Sequence, residues 1–277
     1  MTSSNILTNV MTPTRQGFPG LFNRTRRDIY LHRKKEQLSK AVTVGCLVSS
    51  IKASPKHSLL LGQCNDGLPF LMQLGDPLLG SILVSGDTAC GKTHQLQVMV
   101  DSAIRLNAPH DLQVVVLTHH PNEWRSFSEK SRSEKYIYQV KAWYDPSAED
   151  LIETLITLAE ARREGKKQSA NILLVMDDFN FVENLSYAAQ VNLHWLLTYG
   201  AESGLWIAAS IKANYAEKFR YWINVFRTRI LGFMRSYENA SIIAAREDSF
   251  APGLTPGSFR IWTGSGWVSY HLPLLGD

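Results

Sequence analysis

Ser81-Ile82-Leu83-Val84-Ser85 runs straight into Gly86-Asp87-Thr88-Ala89-Cys90-Gly91-Lys92-Thr93, and this junction decides the fold class. The first five residues read as a short apolar strand. Residues 94–106 then carry Leu96, Val98, Met99, Val100, Ala103 and Ile104 in a helical pattern. Strand, loop and helix in that order are the context in which the spacing GxxxxGK[ST] signifies a phosphate site. Successive backbone N–H groups of such a loop line a concave nest, and the helix N-terminus adds partial positive charge. Gly86 and Gly91 let the main chain curl without a Cβ clash. Lys92 brings a point charge to the β- and γ-phosphates of a nucleotide, and the Thr93 hydroxyl is a ligand for Mg²⁺. The whole loop, Gly86 through Thr93, is therefore a candidate contact surface for ATP with Mg²⁺. Ala89 tolerates a positive φ less well than glycine, so its place in the loop predicts local strain. Cys90 beside positive charge reads either as a reactive thiol or as a small filler.

Downstream, strands and helices alternate. Leu112–Thr118 is a nearly continuous apolar run of the kind buried on both faces of a sheet. Helices are expected over 150–164, 187–200 and 216–225, and strands over 172–176, 205–210 and 229–234. This alternation predicts an α/β domain with a mostly parallel sheet wrapped by right-handed crossovers. Phe259–Trp262 and Trp267–His271, joined through Thr263-Gly264-Ser265-Gly266, read as a closing hairpin. Upstream, residues 57–63 and 68–74 flank Asp66-Gly67, a hairpin signal because Gly accepts the positive φ of a tight turn. Residues 41–50 are β-branched and apolar, a strand candidate, and residues 24–40 could form a short helix.

Asn171-Ile172-Leu173-Leu174-Val175-Met176-Asp177-Asp178 is an apolar strand that ends in two acids. Asp177 is the second candidate for the Mg²⁺ shell, and Asp178 is the candidate for polarising an attacking water.

Composition bounds the alternatives. At 277 residues, with 44% hydrophobic and 19% charged residues, the chain can bury one large core. No apolar run reaches the ~18 residues that span a bilayer, and the N-terminus lacks the apolar stretch of a secretory signal. Cys46, Cys64 and Cys90 have no metal-ligand spacing and suit a reducing, cytoplasmic setting. The net charge of +4 is uneven. Residues 1–40 hold eight basic and two acidic side chains, which leaves 21 basic and 23 acidic in the remainder. The division expected is a basic arm over 1–40, disordered or partly helical, and a phosphate-loop domain with an N-terminal hairpin over 41–277. The arm suits a polyanion such as nucleic acid or is a solvated tail. His119-His120 reads as a strand-end turn, and the tryptophans as core packing. Lys212, Lys218, Arg220 and Arg227, interleaved with Tyr215, Tyr221 and Trp222, suit a nucleic-acid backbone or an amphipathic surface helix equally.

With both motifs placed, the chain resembles the FtsK/HerA branch of RecA-like P-loop ATPases over roughly residues 58–273. Leu60-Leu61-Gly62 and Asp66-Gly67-Leu68-Pro69-Phe70 are similar to the hairpin before that family's loop. Ala201-Glu202-Ser203-Gly204 followed by Leu205–Ser210, Phe226-Arg227-Thr228-Arg229-Ile230, and Leu254-Thr255-Pro256-Gly257-Ser258-Phe259 resemble its later signatures in order. The resemblance implies an ATP-hydrolysing motor on double-stranded DNA, a hexameric ring with ATP between subunits, and a protein partner at a membrane or portal. It implies a trans-acting arginine finger, for which Arg229, Arg235 and Arg246 are candidates. Two departures bear on hydrolysis. Asp178 stands where many ATPases carry glutamate, and the family's sensor glutamine falls near Lys212, where this chain reads Ile211-Lys212. They keep a non-hydrolysing, nucleotide-gated scaffold open as an alternative, beside a phage-type DNA packaging ATPase.

Overall fold

The computed structural model describes residues 42–125, 127, 137–166 and 169–277; the basic arm over 1–40, with the helix expected at 24–40, lies outside them. The described chain opens with α1 (Val44–Ser50) and the hairpin β1 (Ser58–Cys64) and β2 (Pro69–Gln73). There follow β3 (Ile82–Gly86), α2 (Lys92–Leu106), β4 (Leu112–Thr118), β5 (Ile137–Ala142), α3 (Ser147–Arg163) and β6 (Asn171–Met176). The rest is α4 (Tyr187–Tyr199), β7 (Leu205–Lys212), α5 (Arg220–Ile223), β8 (Thr228–Leu231), α6 (Tyr237–Ala244), β9 (Ser258–Trp262) and β10 (Trp267–His271).

All these strands join one sheet in the order β2-β1-β10-β9-β8-β3-β7-β6-β4-β5. From β8 to β5 every pairing is parallel. From β8 back to β2 every pairing is antiparallel. The phosphate-loop strand β3 and the acid-terminated strand β6 are not neighbours; β7 lies between them. The ends of β3 and β6 therefore flank the end of β7.

Side chains of a strand alternate between faces, and here both faces are covered. On one face Leu112, Val114 and Val116 of β4 pack with Leu96, Met99 and Val100 of α2. On the other, Val115 and Leu117 pack with Leu151, Ile152 and Leu155 of α3 and Leu193, Leu196 and Leu197 of α4. Val114 through Leu117 are at most 1% exposed, and burial of each such side chain contributes about 1.5–3 kcal/mol. This two-sided burial explains why β4 reads as an unbroken apolar run.

Residues 41–50 correct the strand expectation: Val44–Ser50 is an α-helix. The Thr43 hydroxyl caps it by accepting from the Cys46 N–H at 3.2 Å. Val44 and Leu47, one turn apart, pack on Leu60 and Val98, so tertiary burial overrides β-branched propensity. The helix expected over 216–225 shrinks to Arg220–Ile223. Its exit is closed by the Arg229 guanidinium, which donates to the carbonyls of Phe226 at 3.1 Å and Ile223 at 3.2 Å. The strand expected over 229–234 ends at Leu231, because Gly232 and Phe233 turn toward the phosphate loop. Strand β5 and helix α6 had no counterpart in the sequence reading; α6 is capped by Ser236, whose hydroxyl accepts from the Asn239 N–H at 3.1 Å.

Candidate nucleotide-binding site

The loop Gly86–Thr93 sits at the carboxyl end of β3, where open α/β sheets bind ligands. Gly91 is the N-cap of α2 with φ 103°, and no side chain caps that helix. Its first-turn N–H groups are thus left for an anion. A Cβ on Gly86 would stand 2.5 Å from Cys90 Sγ and 3.2 Å from the Phe233 carbonyl oxygen, so glycine is required there. Cys90 itself is fully buried, and burial pushes its thiol up. It is the small filler of the two readings.

Ala89 has φ 61°, the left-handed conformation that costs a non-glycine residue roughly 1–2 kcal/mol. Glycine would relieve that strain but carries more unfolded-state entropy, of order 0.5–1 kcal/mol. Ala89→Gly is accordingly expected to stabilise the protein by about 0.5–1 kcal/mol. Thermal melting of the two proteins side by side checks it; an equal or lower Tm for the variant would show that the surrounding loop does not strain Ala89.

Lys92 begins α2 and is 8% exposed. Its ammonium folds over the loop, donating to the carbonyl of Asp87 at 2.8 Å and of Gly86 at 3.2 Å. The loop is clasped from β8's far end. The Asp87 N–H donates to the Phe233 carbonyl at 2.8 Å, and the Arg235 N–H donates to Asp87 Oδ2 at 3.0 Å.

Opposite Lys92, the Thr93 hydroxyl donates to Asp177 Oδ2 at 2.8 Å. Asp177 Oδ1 accepts from the Ser210 hydroxyl at 2.5 Å, and the Ser210 oxygen accepts from the Asp178 N–H at 3.0 Å. The Trp143 indole N–H fixes the Asp177 carbonyl at 2.8 Å. Asp177 is 2% exposed. Burial pushes its carboxyl above the ordinary aspartate range, against the hydrogen bonds from Ser210 and Thr93; the charges of Asp178 and Glu123 push it the same way as burial. Thr93 and Asp177 thus place two hard oxygen donors side by side. That set suits Mg²⁺, which takes one or two protein oxygens and completes its shell with phosphate oxygens and water.

The structure brings Gly86 through Thr93, Asp177 and Asp178 together. Asp178 is half-buried with φ 59° and ψ 56°, and starts the 3₁₀ turn Phe179–Asn184. Among the arginines, Arg235 is exposed beside Asp87. Arg229 is half-buried on carbonyls of its own chain, and Arg246 lies 3.8 Å over the Trp262 ring and pairs with Asp248. Sequence reasoning missed Ser210 and the Phe233–Arg235 clasp. Ser210 stood in the apolar run 205–210, and only the position of β7 between β3 and β6 gives it a role. His119 packs in an aromatic group with Phe181, Tyr144 and His120, and no metal-binding cluster of three or more His, Cys, Asp or Glu side chains occurs among the described residues. No helix among them is long and apolar enough to cross a membrane.

The sheet order, the loop and the Thr93–Asp177 pair have the architecture of a RecA-like P-loop domain. No protein-family model matches the sequence, and no curated protein matches it by sequence. Solved structures do match by fold. Against Thermomonospora curvata EccC (ATPases 2 and 3, in complex with a signal sequence peptide) the TM-score is 0.68 at 17% identity, over 86% of this chain and 44% of that one. Against EssC (ATPases 2 and 3) from Geobacillus thermodenitrificans it is 0.63 at 13% identity, over 80% and 46%. Against the pCW3 conjugation coupling protein TcpA with ATPγS it is 0.55 at 15% identity, over 79% and 66%. The chain spans less than half of each of the first two. Its fold is that shared by these ATPases.

Proposed function

We propose that this protein binds Mg²⁺ and ATP at Gly86–Thr93 and Asp177, hydrolyses the ATP, and uses it to drive a translocase-like motor on double-stranded DNA. The observation that carries the reading is the Thr93–Asp177–Ser210 chain of hydrogen bonds at the mouth of the loop. It holds a buried carboxylate, hydrogen-bonded by two hydroxyls but with no cationic partner among the described residues, at the place where a metal ion would balance its charge.

The loop N–H groups and the α2 N-terminus bind the phosphates, and Lys92 exchanges its carbonyl acceptors for phosphate oxygens. Thr93 and Asp177 would hold the Mg²⁺, which would supply charge neutralisation on the phosphate oxygens. Asp178 takes the proton of the attacking water, at the turn that follows β6. Ser210 keeps Asp177 and the Asp178 backbone in fixed relation. Arg235, exposed and with its backbone beside Asp87, is the candidate to meet phosphate: its guanidinium lies 5.8 Å over the Phe233 ring and makes no ion pair among the described residues, whereas Arg229 is bonded to carbonyls and Arg246 to Asp248.

DNA as the polymer is supported by the basic balance of residues 1–40 and by the fold shared with a conjugation coupling protein. Assembly into a ring of copies is supported by the exposed Tyr187, Val191 and Tyr199 on one face of α4, apolar surface of the kind that marks an interface. A second reading has a specific ground. The EccC structure is a complex with a signal sequence peptide, so a polypeptide is the alternative cargo.

Steady-state ATP hydrolysis by the full chain, alone, with long duplex DNA, and with unfolded polypeptide, tests this. The expected result is a rate that rises with DNA. Stimulation by polypeptide alone would move the reading to protein transport. Tight ATP binding with background turnover under all three conditions would make the protein a nucleotide-gated scaffold.

A further inference from the structure

Arg260 on β9 is a buried cation that the proposed mechanism does not use. Its neighbours Phe259 and Ile261 pack on the α2 side of the sheet with Leu96 and Met99. Side chains alternate along a strand, so Arg260 faces the other side, together with Ser269, its register partner on β10. The residue is 9% exposed. Its guanidinium lies 3.9 Å over the Trp267 ring. It makes no hydrogen bond or ion pair among the described residues, and its Nε is buried without an acceptor.

The charges and polar rings around it are already engaged. Arg246 lies over Trp262 and bonds both oxygens of Asp248, at 2.8 and 3.0 Å. Asp248 is the acid whose charge reaches Arg260, and its carboxylate is therefore paired elsewhere. The His271 ring, two residues along β10 from Ser269, bonds Ser258 and Asn65. Stacking on Trp267 recovers part of what the guanidinium loses on leaving water. It supplies no acceptor for the five N–H donors of an arginine, and a buried charge without a counter-ion is strongly unfavourable.

We infer that Arg260, with the exposed Ser269 hydroxyl beside it, forms an anion-binding recess that takes one phosphate group. Directly opposed residues of an antiparallel pair hold their Cβ atoms about 4.5–5.5 Å apart, so the fork and the hydroxyl reach one ligand. A carboxylate matches the fork alone; a phosphate spreads its oxygens and accepts from the fork and the hydroxyl at once. So little of Arg260 is open that only a single small group meets it. That group comes from free inorganic phosphate or from the backbone of a nucleic acid. The inference does not depend on ATP binding at Gly86–Thr93.

Thermal melts of wild type, Arg260→Met and Arg260→Lys in inorganic phosphate, against chloride of equal ionic strength, test the recess. Methionine keeps an unbranched stem to pack on Trp267, so the variant is expected to fold. Phosphate held at Gly86–Thr93, and the general effect of phosphate as a salt, act on all three proteins alike. Phosphate at about 50 mM is expected to raise the wild-type Tm roughly 2–6 °C more than that of Arg260→Met, with Arg260→Lys between them. Binding of labelled duplex DNA across a salt series then reads the source. A slope of log K on log salt that is shallower by about 1 in Arg260→Met assigns the phosphate to nucleic acid. An unchanged slope beside a lost phosphate effect assigns it to the free ion. Equal phosphate shifts in wild type and Arg260→Met, together with an unchanged slope, overturn the inference. If that variant also melts lower than wild type in both salts, Arg260 serves only to pack on Trp267. Failure of the chain to bind ATP would sink the nucleotide-binding reading and leave each of these outcomes readable.

Discussion

Lys92→Ala is expected to bring ATP hydrolysis to background and to weaken Mg²⁺–ATP binding roughly 10- to 100-fold, the worth of a charge-assisted hydrogen bond. The reason is geometric. The ammonium already sits inside the loop, bonded to two loop carbonyls and almost wholly withdrawn from water. It meets phosphate by exchanging one set of oxygen acceptors for another, with little loss of side-chain freedom. No other lysine or arginine lies within Gly86–Thr93, so alanine leaves the loop with backbone dipoles alone. Folding is expected to survive, because the substitution removes a charge from a loop rather than a side chain from either hydrophobic cluster. Circular dichroism melts beside the binding titration separate the two effects. An alanine variant that folds and still binds ATP like wild type would mean that the loop does not hold phosphate.

Asp177→Asn is expected to act in opposite directions on activity and stability. Asparagine keeps an oxygen for one of the two hydroxyls, turns an NH2 donor toward the oxygen of the other, and loses the charge that draws Mg²⁺, so hydrolysis should fall roughly 100-fold or more. The nucleotide-free protein should become more stable. Burial raises the Asp177 pKa, so its ionised form is disfavoured in the folded state. The sign follows from linkage. The folded state binds this proton more tightly than the unfolded chain, so wild type gains stability as pH falls from neutral through the raised pKa toward the ordinary aspartate value. The variant lacks that dependence. Its Tm advantage should be greatest near neutral pH, roughly 2–4 °C for each kcal/mol relieved, and should close as the pH falls. A variant less stable than wild type at neutral pH would show that the two hydroxyl bonds outweigh the burial of charge.

Much of this site is legible in residue order because it is local. The strand, loop and helix of residues 81–106 follow directly on one another, and each carries its own period. Leu112–Thr118 was placed to the residue, since a strand covered on both sides announces itself as an apolar run. Asp177 was legible as the acid that ends another such run. The strain expected at Ala89 appears as its φ of 61°. What escaped is what depends on contacts between distant segments. Ser210 lies 33 residues from Asp177 and Arg235 lies 148 from Asp87; neither contact has a local signal, and both follow from the order β8-β3-β7-β6. Val44–Ser50 was misread for a related reason: its β-branched residues favour a strand in isolation, but Leu60 and Val98 select the helix that buries Val44 and Leu47 together.

Thr93 and Asp177 are expected to complete a Mg²⁺–ATP site begun by Gly86–Lys92. Calorimetric titration of the full-length wild-type chain with ATP, once with Mg²⁺ and once with a chelator, addresses it directly. The expected result is saturable binding to one site per chain that tightens at least tenfold with Mg²⁺. No binding under either condition would contradict it, as would an ATP affinity indifferent to the metal.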